Sequence, residues 1–339
     1  MKNKNVIVRL VGGLGNQMFI YAFGKFLQQQ GYTVRFDTNA YDKQIGGGDN
    51  TTSVSHVRDF GLRYFCVDTT LFLERFASKF TPSKFFHILL VRLFMRCPRF
   101  FKKRYVFLHK WIMRWYFIES PYDDVFYQRS LAFLCDTKFS FYNNTYILGY
   151  FQNYLFVKSV STQLKEEFKL KRPLSQRNQE LKYKILATPD SVFLHVRRGD
   201  YLQLRNYIEL GSTYYNNALY QIHGILSYPT IFIFSNDIAW CKQMFLSHLD
   251  SVFLENMRFE FIEGNTEGHA CEEMELMRSC KHAIIANSSF SWWAAYLIEN
   301  PDKIVCMPKY VLHDPLCVPV FAKHLKYEGC VVVDHIWSS

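Results

Sequence analysis

The sequence predicts an α/β protein built on parallel, doubly wound sheets, and three observations carry that expectation. In the second half, apolar runs of strand length alternate with segments of helical periodicity, the pattern of repeated strand–helix–strand units. The first forty residues begin the same way, as strand, glycine turn, helix and strand. At 339 residues, with 49% apolar and 21% charged residues, the chain is globular and longer than a single core comfortably serves, so about two such units are expected.

Taken in order, "NVIVRLV" reads as a strand, "GGLGNQM" as a turn, and "FIYAFGKFLQQQG" as a helix that Gly31 ends. "YTVRFD" supplies a second strand. From residue 40 to 150 no periodicity is clear. The polar, proline-bearing "LKRPLSQRNQ" (170–179) reads as a linker, which places a domain boundary near 155–180 and gives domains of 1–165 and 166–339. Beyond it, "SVFLHV" (191–196), "TIFIF" (230–234), "RFEFIE" (258–263), "HAIIA" (282–286) and "KIVCMP" (303–308) read as strands. Helices are expected over 216–226, after the capping residues Ser235 to Asp237, and over 270–280 and 288–300.

The net charge of +10 is concentrated. Residues 81–118 hold no acidic residue but nine Lys/Arg (Lys84, Arg92, Arg96, Arg99, Lys102, Lys103, Arg104, Lys110, Arg114), interleaved with Phe100, Phe101, Tyr105, Phe107, Trp111 and Trp115. Its apolar run "FFHILLV" is far below the ~20 residues of a membrane span. A helical surface lying on an anionic membrane fits, each cation being worth about 1 kcal/mol there; a basic face on an ordinary subdomain fits too. No nucleic-acid motif accompanies the charge. The nine cysteines show no C-x-x-C pair or metal spacing and read as reduced thiols. The amino-terminal apolar run is too short for a signal peptide, so a cytoplasmic setting is expected and the sequons at Asn50, Asn143 and Asn287 carry no meaning.

Polar residues cluster where the strands of the second half end: His195-Val196-Arg197-Arg198-Gly199-Asp200, Ser235-Asn236-Asp237, Glu263-Gly264-Asn265 and Asn287-Ser288-Ser289. In an open parallel sheet those carboxyl ends form the ligand crevice. Arg197 and Arg198 suit a phosphate or diphosphate, because guanidinium makes bidentate, charge-assisted bonds; an ion pair with Asp200 would also explain them. Asn287, Ser288, Ser289 and Ser291 open a helix whose free amides favour an anion, though capping alone accounts for Ser288 and Ser289. Phe290, Trp292 and Trp293 read as core. In the first half, Gly13-x-Gly15 resembles a dinucleotide turn, but Met18 stands where its third glycine belongs. Asn16 and Gln17 sit where that turn would bring a side chain to a ligand. No D-x-D occurs to bridge a nucleotide diphosphate through a metal, which leaves the work to the arginines.

Together, "GGLGNQMFIYAFGKFL", "HVRRGDY", "FSND" and "SCKHAIIANSSFSWWAAYL" resemble, in order and spacing, the α-1,2-fucosyltransferases of glycosyltransferase family 11. Ala294 and Ala283 depart from the usual pattern, away from the anion site. The resemblance implies a GT-B architecture, two facing Rossmann-like domains, with an acceptor-side first domain that carries the basic aromatic insertion and a second domain that holds the nucleotide sugar. It implies GDP-β-L-fucose as donor, no metal or other cofactor, and inversion to an α-1,2 linkage on a galactose-type acceptor. His195, Arg197, Arg198 and Asp200 fall on the donor-binding arginine motif, Asn16 on the glycine-turn asparagine, and Ser288, Ser289 and Ser291 near the diphosphate. Gly13, Gly15, Gln17, Ser235, Asp237 and Asn287 join them as donor-site candidates. The base for the acceptor hydroxyl stays open among Asp200, Glu263 and Glu267, while Asp237 could accept from guanine. A lipid-linked glycan at the inner membrane face, met through residues 81–118, would suit such a transferase. A nucleotide-dependent oxidoreductase, with Asp37 as ribose ligand, and a non-enzymatic glycan-binding protein are the competing readings.

Overall fold

The computed structural model describes residues 4–41, 59–73, 116–118, 141–198, 208–265, 267–310 and 320–334. β1 (Lys4–Arg9) passes through the glycine turn into α1 (Leu14–Gln29), and Gly31, at φ 86°, returns the chain to β2 (Tyr32–Asp37). The expected order holds with one correction: the helix begins at Leu14, not at Phe19. Leu14, Gln17 and Met18 are buried on it, so helical packing takes up residues that read as turn. β3 (Tyr116–Ile118) and β4 (Thr145–Leu148) complete a parallel sheet in the order β2-β1-β4-β3. Of the basic aromatic segment only β3 is described; the expected helical surface lies outside the described residues.

Three helices follow: α2 (Tyr154–Ser159), α3 (Ser161–Glu167) and α4 (Gln176–Ala187). The stretch read as a linker therefore ends inside a helix. Its polarity misled because α4 buries little beyond Asn178 and Ile185. What holds its start is polar: the Ser175 amide and hydroxyl and the Asn178 amide all donate to one Glu272 oxygen, at 3.0, 2.7 and 2.7 Å.

The second sheet contains all five expected strands and a sixth. It comprises β5 (Ser191–Val196), α5 (Ser212–His223), β6 (Thr230–Ser235), α6 (Ile238–Trp240), α7 (Ser251–Asn256), β7 (Arg258–Phe261), α8 (Ala270–Arg278), β8 (His282–Ile284), α9 (Ser289–Tyr296), β9 (Val305–Pro308), α10 (Val320–Leu325) and β10 (Cys330–Val333). All pairs are parallel, in the order β10-β9-β8-β5-β6-β7. β5 is central and wholly buried, which explains its unbroken apolar run. The chain moves outward from β5 through β6 to β7 and then returns to the other side of β5 as β8. Strand order thus reverses between β5 and β8, where an open α/β sheet opens its ligand crevice. In the first sheet the corresponding point lies between β1 and β4.

One apolar core runs through both halves. Phe19 of α1 packs on Trp292 and Trp293 of α9, ring centres 4.7 and 5.0 Å apart, and Phe168 meets Trp293 at 5.3 Å. Both tryptophans are fully buried, as the sequence suggested. Aromatic side chains bury roughly 150–250 Å² each, so packing at this seam joins the halves. Backbone meets backbone at Gly15: a Cβ there would lie 2.5 Å from the Phe290 nitrogen and the Ser289 carbonyl carbon. No described helix is long and apolar enough to cross a membrane.

Candidate active site

The reversal point of the second sheet gathers the predicted arginine motif and the predicted serine loop. His195 is the penultimate residue of β5, with Arg197 and Arg198 directly after it, and the Asn287-Ser288 turn follows β8. His195 is buried, accepts a hydrogen bond from the Tyr215 hydroxyl on its carbonyl (3.2 Å), and lies 6.0 Å from the Phe290 ring. Burial first, then the Arg197 charge, pushes its imidazole pKa down to about 3, so the ring is neutral at physiological pH.

Arg198 is held from several sides. The Asn236 side chain accepts from its amide (2.9 Å) and donates to its carbonyl (3.1 Å). Its guanidinium lies 3.8 Å from the Trp240 ring centre, bonds Glu209 at 2.7 Å and stands 3.7 Å from Asp237. The exposed Glu209 partner makes that pair worth about 0.2–1 kcal/mol, little enough for a bidentate phosphate to displace it. Asp237 also caps α6, accepting from the Trp240 amide at 3.3 Å, while the Ser235 hydroxyl accepts from the Asp237 amide at 3.0 Å. Asn236 belongs to the strand-end cluster expected at the crevice, whereas Glu209 and Trp240 carried no signal of their own in the sequence. Asp200, Gly199 and residue 266 lie outside the described residues. Arg197 is half-buried, and the Glu273 carboxyl of α8 shares its electrostatic field.

Sequence reasoning missed Glu273, because "ACEEMELMRSC" presents three glutamates alike. The structure separates them. Glu272 takes the bonds from Ser175 and Asn178; Glu275 pairs with Lys182 at 2.6 Å and stands 3.7 Å from Arg278. Glu273 makes no hydrogen bond or ion pair among the described residues. Burial raises its pKa to about 7, with Arg197 pulling the other way.

The serine loop faces the first half of the chain. Ser288 caps α9, its oxygen accepting from the Phe290 amide at 3.3 Å, and the fully buried Ser291 donates to the Ser288 carbonyl at 3.3 Å. The Asn287 amide donates to the Ile208 carbonyl at 2.8 Å, pinning the chain where it returns from the arginine loop. Ser289 crosses the seam: its hydroxyl donates to Asn16 Oδ1 at 2.7 Å. Asn16 stands in the first turn of α1, which Gly13 caps in an extended conformation. Gln17, expected at the ligand, is fully buried. Its amide nitrogen donates to the Gly12 and Asp59 carbonyls (3.0 and 2.8 Å), and its oxygen accepts from the Gly61 and Leu62 amides (2.9 and 3.3 Å). Its polar atoms thus hold the 59–62 segment against the glycine turn. Glu263 is exposed and pairs with Lys242 at 2.8 Å.

The arrangement can bind an anionic ligand between two arginines and a neutral histidine, close to an asparagine from the other half. Among the described residues no group of three or more His, Cys, Asp or Glu side chains is placed to hold a metal ion.

Comparison with known proteins is consistent with that geometry. The chain is 28% identical over 304 residues to an α-1,2-colitosyltransferase of Escherichia coli, covering 88% of each chain. It is 26% identical over 320 residues to the Escherichia coli O-antigen biosynthesis glycosyltransferase WbnK, covering 88% of this chain and 92% of that one. A rat galactoside α-(1,2)-fucosyltransferase 2 is 30% identical over 135 residues, 38% of this chain and 35% of that one. Among solved structures, the NodZ α-1,6-fucosyltransferase co-crystallized with GDP superposes with a TM-score of 0.53 at 15% identity, over 92% of this chain and 98% of that one. That likeness shows the fold, two parallel-sheet domains of the GT-B type. A family model described as glycosyl transferase family 11 matches residues 5–315, which removes the oxidoreductase reading. The chain belongs to glycosyl transferase family 11.

Proposed function

We propose that the protein transfers L-fucose from GDP-β-L-fucose to the 2-hydroxyl of a galactose-type unit in a surface glycan, with inversion and without a metal ion. The observation that carries the proposal is the twin-arginine strand end at the reversal point of the second sheet, in a family 11 chain. Breaking the anomeric bond leaves negative charge on the departing diphosphate. Fixed cations there stabilise the transition state more than the ground state, and one such preorganised group is worth about 3–4 kcal/mol. Arg197 and Arg198 fill that role, with residues 166–339 as the donor domain and 1–165 as the acceptor side. Asp237, beside Arg198, and Glu273, in the field of Arg197, are the carboxyl groups offered to the guanine edge, whose neighbouring N–H groups match a carboxylate.

A second donor has specific support: the α-1,2-colitosyltransferase relative is matched over 88% of both chains, so nucleotide-linked colitose belongs beside GDP-fucose in any assay. The O-antigen biosynthesis relative supports a glycan acceptor, and the proposal takes that acceptor to be lipid-linked. Residues 81–118 would then hold the enzyme on the anionic inner face of the membrane, and co-flotation with anionic vesicles at low salt tests that placement. The transfer itself is tested by incubating the protein with each donor and galactose-terminated oligosaccharides in EDTA and determining the linkage by NMR. An α-1,2 product supports the proposal. No transfer from either donor, or a different linkage, overturns it.

A further inference from the structure

The polypeptide after β4 is bent in a way that ordinary chain is not. Phe151 has φ 49°, in the left-handed region that costs a bulky residue of order 1–3 kcal/mol, and Gly149 stands at φ 158°. Such a conformation persists only where its surroundings enforce it. Here the buried Phe151 ring stacks on Phe23 of α1, centres 3.9 Å apart and 8° from parallel. The buried Asn153 amide donates to the Phe151 carbonyl at 2.8 Å, while the Asn153 side chain caps α2 by accepting from the Leu155 amide at 2.7 Å. The residue this turn delivers is Gln152, whose Nε2 donates to Asn16 Oδ1 at 2.9 Å.

Gln152 follows the carboxyl end of β4 and Asn16 follows that of β1, so they meet at the reversal point of the first sheet. Ser289, from the reversal point of the second sheet, donates to the same Asn16 oxygen at 2.7 Å. With two donors on Oδ1, the Asn16 amide has one orientation. Its Nδ2 lies over Gly12, where even a methyl group would come within 2.7 Å of it.

We propose that Gln152 is a positioning residue of the transfer site: with Ser289 it fixes the Asn16 amide so that its NH₂ is the donor offered to the nucleotide sugar. The inference rests on the proposed function, in which Asn16 reaches the donor from the first domain. It goes further by assigning the strained turn 149–153 to catalysis.

The test is a double-mutant cycle on the full-length protein, following transfer from GDP-fucose, or from nucleotide-linked colitose if that is the donor used. Gln152→Glu can only accept, and so turns the Asn16 amide over. Gln152→Met keeps the length, removes both hydrogen-bonding ends and adds no charge. Outer partners that orient a metal ligand are typically worth 10–100-fold, and a kcat/KM loss in that range is expected for both variants, with melting temperature and GDP-induced stabilisation preserved. On an Asn16→Ala background, either substitution should cost nothing further, because Gln152 acts through Asn16. Wild-type kcat/KM in both Gln152 variants, or losses that multiply with Asn16→Ala, would overturn the inference. If Asn16→Ala itself transfers at the wild-type rate, the donor contact of Asn16 is the premise that failed. If the wild-type protein transfers neither sugar, the proposed function fails, and the inference with it.

Discussion

Gly15→Ala tests the seam between the two halves, and the structure sets the size of its effect. In an ordinary helix this substitution stabilises by about 1 kcal/mol. Here the new methyl would stand 2.5 Å from the Phe290 nitrogen and the Ser289 carbonyl carbon, whereas ordinary contact begins near 3.4 Å. Both neighbours are backbone, so α9 must retreat by about 0.9 Å; that alone would stretch the 2.7 Å Asn16–Ser289 hydrogen bond to about 3.6 Å, beyond bonding distance. Overpacking of this kind costs about 1–3 kcal/mol, which offsets the helical gain and leaves a melting temperature unchanged or lower by a few degrees. Transfer suffers more, because the two reversal points separate: a fall of at least about tenfold in kcat/KM is expected. Gly224→Ala, in a helical backbone conformation at the end of α5 and with an added methyl no closer than 3.5 Å to any neighbour, is the control and should lower neither reading. A Gly15→Ala protein that melts higher and transfers normally would refute the tight seam.

Four further outcomes follow from single sites. Arg198→Ala should lower turnover by about 10²–10³ while the protein still melts cooperatively, since its guanidinium rests on the rim residues Trp240 and Glu209; retained turnover would count against the diphosphate assignment. His195 titrates near 3 when folded and near 6.5 when unfolded, so only the unfolded chain takes up this proton between those values. Stability should therefore fall as pH drops from 6.5 toward 3, and His195→Gln should flatten that slope; an unchanged slope would contradict the burial argument. Glu273 has the opposite sign: its folded pKa of about 7 means its contribution is present below about pH 4 and is lost as pH rises through 7. Glu273→Gln should then show less loss of melting temperature between pH 5 and 8 than the parent, and equal losses would contradict the raised pKa. Lys303→Met should cost about 1–3 kcal/mol in denaturant unfolding, because the Lys303 ammonium donates to the Ala295, Tyr296 and Ile298 carbonyls at 2.8–2.9 Å and no methionine atom can replace it; unchanged stability would show that water serves those carbonyls equally well.

The legible parts of the sequence were those where burial is uniform. β5, β6 and β8 read as strands because the second sheet is covered on both faces, and Arg197 and Arg198 stood out against that apolar run. α4 stayed hidden because polar bonds to Glu272, not an apolar stripe, dock its start. β4 was too short, at four residues, to show a period within 40–150. At the site, residue type announced the arginines but not their surroundings. Gln17 looked like a ligand residue and is an internal brace; Glu273 looked like one of three equivalent glutamates and differs from its neighbours only in what the fold places beside it. Gln152 had no sequence signal, because its role depends on the backbone of Phe151 and on a partner 136 residues away.

The central claim, that the crevice between β5 and β8 holds a guanosine diphosphate sugar with arginine side chains rather than a metal ion on its diphosphate, is tested most directly by thermal melting in EDTA with GDP, UDP, CMP and NAD. Stabilisation by GDP alone is expected, amounting to about 2.7 kcal/mol at a hundredfold excess over Kd and lost in Arg198→Ala. Stabilisation by NAD or UDP, or by none of the four, would contradict it.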